Sequence, residues 1–408
     1  MFEKNNDKKS HIFSKDKKKF GRPEKSKRIS LNFGNIKSAG VRSGLDIPFI
    51  VLVFLLVATG LVMMFSASYP NAFYLHHGDS FFFIRNQAIF AVAGLILMLV
   101  ISKFDYRYLK ILHIPILIVS FILLAVVLVT KPINGARRWV QIGPIGFQPS
   151  EITKFSIILS FSTIIDKNFS KMGTFRHGIL PFLIILLPAA ALLALEPHIS
   201  CTVIIILLSA IMLFIGGVKL RWFAYVLVPI LLSLAYIILF TDKLSHANGR
   251  IAGWLNPFDP SNSGDTWQTR QSLYAIGSGG IFGLGLGNSR QKYLFLPEPY
   301  NDFIFSVVCE ELGFIGAVVI LLLFAALIWR GIVISIRAKD RFGTLLGLGL
   351  IMQVGMQMIL NISVVTNTIP NTGISLPFFS YGGTSLLMLL AQMGILLSIS
   401  RSANLEKS

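Results

Sequence analysis

The chain has 408 residues, 54% of them hydrophobic and only 14% charged, with a mean hydropathy of +0.70. Its length alone would suit two or three soluble domains of ~150 residues, but soluble domains carry about 25% charged residues, so the composition excludes them and indicates an integral membrane protein. The net charge of +18 does not indicate nucleic acid, because residues 1–46 hold 13 of the 37 Lys and Arg against five acids, and a basic tail beside a membrane is a topology and lipid-surface signal.

Apolar runs follow in chain order at about 47–67, 87–102, 110–130, 151–166, 179–195, 201–217, 223–241, 302–329, 345–366 and 384–400. They are continuous rather than alternating, and lipid admits only helices or closed barrels. The expectation is an all-α membrane protein with ten spanning helices, some of them broken by Pro181, Pro188 or Pro229. The expected organisation is a basic cytoplasmic tail without fixed structure (1–46), a membrane domain (47–400) and a short C-terminal tail (401–408). The first run is long enough to span and lacks a small-residue cleavage site, so no cleavable signal peptide is expected. Cys201 and Cys309 lie in apolar runs and read as packing residues.

One set of alternate loops and termini collects 27 Lys and Arg, the other nine. The positive-inside rule therefore predicts both termini in the cytoplasm. The long segments 131–150, 242–301 and 367–383 then face outward. Loops much longer than about 15 residues are usually functional or disordered. Residues 242–301 contain Trp254, Trp267 and apolar side chains such as Tyr274, Phe282 and Phe295, which predicts a folded lid against the outer membrane surface.

The chemistry is sought on that side. Gly283-Leu-Gly-Leu-Gly-Asn288 lacks the strand and helix of a dinucleotide loop and reads as close backbone packing. No His/Cys cluster has metal-ligand spacing, and no serine or cysteine sits in a recognisable nucleophile elbow. In Gln148-Pro-Ser-Glu-Ile-Thr-Lys154, Pro149 and Ser150 are helix-start signals, so Glu151 and Lys154 share one helix face. They form either a structural ion pair or a site for an anionic ligand. Arg137 and Arg138 offer guanidinium groups suited to phosphate, and the face of Trp139 suits a sugar, although an interfacial Arg/Trp belt would look the same. Asp302 could cap the helix that follows it. Because Asn301 is equally able to cap, Asp302 could instead point into a site as a general base. Glu310 and Glu311 lie about 12–13 Å deeper at ~1.5 Å per residue and need partners that the sequence does not name.

These motifs are long and ordered. Asn134-Gly-Ala-Arg-Arg-Trp139, Gln148-Pro-Ser-Glu-x-x-Lys154, Ala275-Ile-Gly-Ser-Gly-Gly280, Leu296-Pro-Glu-Pro-x-Asn-Asp-Phe-Ile-Phe305 and Gly373-Ile-Ser-Leu-Pro-Phe-Phe-Ser-Tyr-Gly-Gly383 resemble the SEDS family (shape, elongation, division, sporulation) over roughly residues 45–402. The stretch Gly283 to Ser289 followed by Gln291-Lys292 looks more like FtsW-type division or sporulation members than RodA-type elongation members. The resemblance implies a peptidoglycan glycosyltransferase that polymerises lipid II outside the cytoplasmic membrane, with Asp302 as its catalytic carboxylate. It also implies functional roles for Arg138, Lys154 and Glu298, and Arg137, Trp139, Glu151, Gln268 and Lys292 complete the expected substrate-binding set. A class B penicillin-binding protein (a transpeptidase) and other divisome-type membrane proteins are the implied partners. A divalent cation, Mg or Mn, is the implied assistant at the pyrophosphate, with no protein-borne metal cage and no organic cofactor. One departure stands out: many relatives read Glu-Pro-Asp-x-Gly where this chain has Glu196-Pro-His-Ile-Ser200, which removes a carboxylate and a turn glycine. A lipid II flippase, or a scaffold that recruits a transpeptidase, are the alternative readings.

Overall fold

A computed structural model describes residues 44–130, 137–142, 145–196, 198–225, 254–259 and 266–403. The elements in order are α1 (Ile47–Leu75), α2 (Phe82–Ile101), a 3-10 turn (Tyr106–Tyr108), α3 (Leu109–Val127), β1 (Val140–Ile142), β2 (Ile145–Phe147), α4 (Pro149–Asn168), a second 3-10 turn (Phe169–Lys171), α5 (Phe175–Gly178), α6 (Leu180–Leu195), α7 (Ile199–Ile215), α8 (Trp267–Gly279), α9 (Ile304–Ile336), α10 (Arg341–Val365) and α11 (Gly383–Ala403). Nine of the ten expected spans correspond to helices among the described residues. The remaining one, 223–241, lies largely outside them, as do nearly all of the basic tail and residues 242–253 and 260–265 of the lid segment.

Six stretches are long and apolar enough to cross a membrane, and the helices Leu180–Leu195 and Ser200–Ile215 are apolar but shorter. Helix α4 falls outside the six because it carries Glu151, Lys154, Asp166 and Lys167 and intersperses Ser and Thr among its apolar residues. Its hydroxyls return to the helix's own carbonyls, Thr153 to Pro149, Ser162 to Ile158 and Thr163 to Leu159. Ser150 and Ser160 are buried without such a bond; α4 is buried along nearly its whole length and packs against α3, α6, α7 and α10. This central helix carries Glu151 and Lys154.

The all-helical expectation needs one correction. Val140-Gln-Ile142 and Ile145-Gly-Phe147 alternate around Gly-Pro, and they pair as a small antiparallel hairpin with Val140 opposite Phe147. Thr384, at the start of α11, donates to the Gly146 carbonyl at 3.0 Å, which fastens the hairpin beside the mouth of the bundle.

At the opposite end of the spans, Asp46 caps α1 through Phe49 N (3.1 Å) and pairs with Arg330 of α9 (2.8 Å). Helix α9 is interrupted at Gly313, whose φ of 67° frees the carbonyls of Glu310 and Glu311. These accept from Leu284 N and Gly285 N (2.9 and 3.0 Å), while Phe314 N donates to Gly280 O (2.9 Å). A Cβ at Gly283 would come within 2.2 Å of the Glu311 carbonyl oxygen. The glycine-rich stretch is therefore a backbone-to-backbone contact, with no room for a nucleotide.

Candidate active site

The N-terminal end of α4, the residues before β1, the α6–α7 connection, the 298–302 segment, the 373–383 loop, α2 and α10 together enclose a cavity of about 940 Å³. Six of the sequence-predicted residues line it: Arg138, Trp139, Glu151, Lys154, Glu298 and Asp302.

Asp302 is held by its backbone. Asn361 of α10 donates through Nδ2 to the Asp302 carbonyl (2.7 Å) and to the Ile374 carbonyl (2.6 Å). Ser380 Oγ donates to Asn301 O (2.7 Å), and Tyr381 N donates to Tyr300 O (2.8 Å), so the 373–383 loop is stitched to the 298–302 segment along its length. Neither Asn301 nor Asp302 caps α9, whose N-cap is Phe303 without a side-chain bond. Asn301 Nδ2 instead donates to Glu298 Oε2 (3.0 Å). The carboxylate of Asp302 thus faces the cavity, and no hydrogen bond to it occurs among the described residues. It lies against Gly373, which has φ +68°, and a Cβ there would stand 3.1 Å from Asp302 Oδ2. Burial, then the like charge of Glu298, pushes the Asp302 pKa up to about 6, against the pull of Arg138.

Lys154 is 2% exposed, and its Nζ pairs with Glu151 Oε1 at 2.8 Å. An ammonium this deep near an apolar core needs such a partner. Because both members border the cavity, the pair is structural and also available to an anion. The charge of Arg138 reaches three groups. It opposes the rise of Asp302 and of Glu196, which burial lifts to about 7. It joins burial and Lys154 in pushing His198 down to about 3. His198 is therefore neutral, and the cavity is lined by two cations, Arg138 and Lys154, and three carboxylates, Glu151, Glu298 and Asp302, with Lys154 and Glu151 paired. Ser200 Oγ donates to the carbonyl of Thr372, next to Gly373, so the start of α7 is tied to the loop that borders Asp302.

Three predicted residues lie away from the cavity lining. Arg137 is exposed and donates to Leu128 O (2.8 Å). Gln268 accepts from Asn371 Nδ2 (3.0 Å) and reaches the site only through that loop. Lys292 is buried in an ion pair with Glu311 (2.8 Å) and also donates to Ser66 Oγ and the Gly287 carbonyl. Its position comes from the Gly313 kink and the folding back of 280–292, which carry it away from Asp302.

Other cavity residues were not singled out from the sequence. Gln353 and Gln357 of α10 are two amides four residues apart in a largely apolar span, a signal that was available because such spacing puts both on one helix face. Tyr300 stacks on Phe83 (4.6 Å) and meets Tyr381 edge-on (6.0 Å), giving an aromatic wall suited to a sugar face. Among the described residues, no three His, Cys, Asp or Glu side chains converge as a metal cage. Asp302 and Glu298 do provide two carboxylates at one place, which suits a cation that is held mainly by substrate phosphates.

Known proteins resemble this chain over nearly its full described length. The family model described as "Cell cycle protein", which covers FtsW, RodA and SpoVE, matches residues 47–405. Stage V sporulation protein E of Bacillus subtilis is 39% identical over 360 residues, covering 87% of this chain and 97% of the relative. The probable peptidoglycan glycosyltransferase FtsW of Trichlorobacter lovleyi is 37% identical, covering 88% and 94%. Among solved structures, a chain from "Structural coordination of polymerization and crosslinking by a peptidoglycan synthase complex" superposes with a TM-score of 0.73 at 27% identity, covering 88% and 98%. The rod shape determining protein RodA of Thermus thermophilus superposes with 0.63 at 28% identity, covering 88% and 97%. With its apolar helices and this shared architecture, the chain is a multi-pass membrane protein that belongs to the FtsW/RodA/SpoVE family.

Proposed function

We propose that the protein is a peptidoglycan glycosyltransferase that polymerises lipid II in division or sporulation septum synthesis. The observation that carries this reading is that the Asp302 carboxylate borders the same cavity as Arg138 and Lys154. Relatives named for the same activity support it. Asp302 takes the proton of the acceptor sugar's 4-hydroxyl, whose oxygen forms a bond to the anomeric carbon of the lipid-linked donor. The bond from that carbon to the pyrophosphate breaks with inversion, and its electron pair leaves on the phosphate. Arg138 and Lys154 stabilise the departing charge, the electrostatic contribution that is usually largest in such chemistry. Trp139, Tyr300 and Tyr381 offer faces to the sugars. A divalent cation held mainly by the phosphates, with Glu298 as its protein carboxylate, would shield the leaving pyrophosphate.

The reading includes ten membrane crossings, cytoplasmic termini and a cavity that opens outward, as the unequal distribution of Lys and Arg requires. A transpeptidase of the penicillin-binding class is the proposed partner, since one structural neighbour comes from a synthase complex. The test is reconstitution of the purified chain in lipid II proteoliposomes, with and without the transpeptidase, followed by a gel of product lengths. Glycan ladders are expected. Transbilayer movement of lipid II without any polymer would replace this reading with a flippase.

A further inference from the structure

Two polar levels can be read along α1 and α9. At one end, Asp46 pairs with Arg330; at the other, Ser66 donates to Glu311, which pairs with Lys292. Each helix covers the interval in about twenty residues, which at ~1.5 Å per residue is about 30 Å, the thickness of a bilayer's hydrocarbon core. The Glu311 level therefore marks the hydrocarbon boundary on the Asp302 side. The backbone of 280–285 is hydrogen-bonded to the kinked 310–315 segment of α9, so the glycine-rich loop sits at that same boundary.

The surface of the loop is apolar. Phe282 is 82% exposed, and Ile281, Leu284, Leu286, Leu294 and Phe295 are exposed with it. The patch continues directly into Phe314, Ile315, Val319 and Leu322, the exposed stripe of α9. Contiguous exposed apolar surface marks a protein or a membrane contact. Here its level and its continuity with a spanning helix select lipid. Arg290 is exposed on the same loop, where it suits headgroup phosphates, while Lys292, Glu310 and Glu311 are turned inward and buried.

We propose that residues 280–295 form an interfacial anchor whose apolar side chains dip into the acyl-chain boundary of the leaflet on the Asp302 side. Leu296 N donates to Gln291 O (2.8 Å), and Asp302 follows Phe295 by seven residues. The anchor therefore sets the height of the cavity above the hydrocarbon, where the headgroup of a lipid-linked substrate lies. The inference rests on the helices crossing the membrane and not on the glycosyl transfer, so failure of one leaves the other standing.

The test uses Phe282→Cys and Leu286→Cys, each in the full chain with Cys201→Ala and Cys309→Ala. Each variant is labelled with bimane and reconstituted in phosphatidylcholine/phosphatidylglycerol vesicles. A spin label near the top of the acyl chain is expected to remove roughly half of the emission at both positions, with water-soluble iodide removing little. Strong iodide quenching with no effect of the spin-labelled lipid would overturn the anchor and mark the patch as a docking face for another protein.

Discussion

The Lys292–Glu310–Glu311 cluster and the Asp302 cavity are separated by about ten residues of chain, and they treat buried charge in opposite ways. In the first, Glu311 accepts from Lys292 and Ser66, and Glu310 accepts from Arg290 N, Ser289 Oγ and Ser278 Oγ. Water and ligand have no vacant group to meet, and the cluster's work is to hold the glycine-rich loop against α9. In the second, Asp302 is fixed through its carbonyl while its carboxylate is left to the cavity, beside Glu298 and within reach of Arg138. The fold thus uses the mutually paired charges of the first group as structure and turns the Asp302 carboxylate of the second toward the cavity.

The sharpest break of this comparison is Lys292→Met. It leaves Glu311 buried without its cation, a loss that costs about 3–5 kcal/mol in buried pairs. A large fall in denaturation midpoint in detergent is expected, whereas Asp302→Asn should leave the midpoint nearly unchanged. Arg138→Ala should lower polymerisation about 100-fold, the scale of removing one donor to a developing anion, as measured on lipid II at saturating protein. Gly373→Ala is milder. It forces a side chain into φ +68° at about 1–2 kcal/mol and crowds Asp302 Oδ2, so roughly a tenfold loss of rate is expected from the displaced carboxylate.

The smallest effects are shifts in pH dependence. A general base works only when ionised, so the rate should fall as pH drops through about 6, the raised value of Asp302. Glu298→Gln removes the like charge that raises it and should move this acid limb to lower pH. Arg138→Ala removes the cation that lowers it and should move the residual limb to higher pH. Shifts of the same sign in both variants would contradict the electrostatic account.

Much of this was legible in the sequence, for identifiable reasons. Continuous apolar runs announce helices because lipid leaves no other open structure. Residues on one short motif travel together, which is why Glu151 and Lys154, or Glu298 and Asp302, could be grouped before any coordinates. The hairpin was hidden because its strands are three residues long. Lys292 was misgrouped because its partners are distant in the chain: Ser66 lies 226 residues away, and the kink at Gly313 that brings Glu311 into place follows from a single backbone angle. The role of Gly373 is invisible for the same reason, since it exists only because Asp302 packs against it across 71 residues of chain.

The most direct measurement is polymerisation by purified Asp302→Asn beside the wild-type chain, with folding checked by monodispersity and denaturation midpoint. The substitution keeps size and removes the basic oxygen, so an intact protein with lipid II polymer reduced by at least about 100-fold is expected. Wild-type polymer yield from a well-folded Asp302→Asn protein would contradict the account.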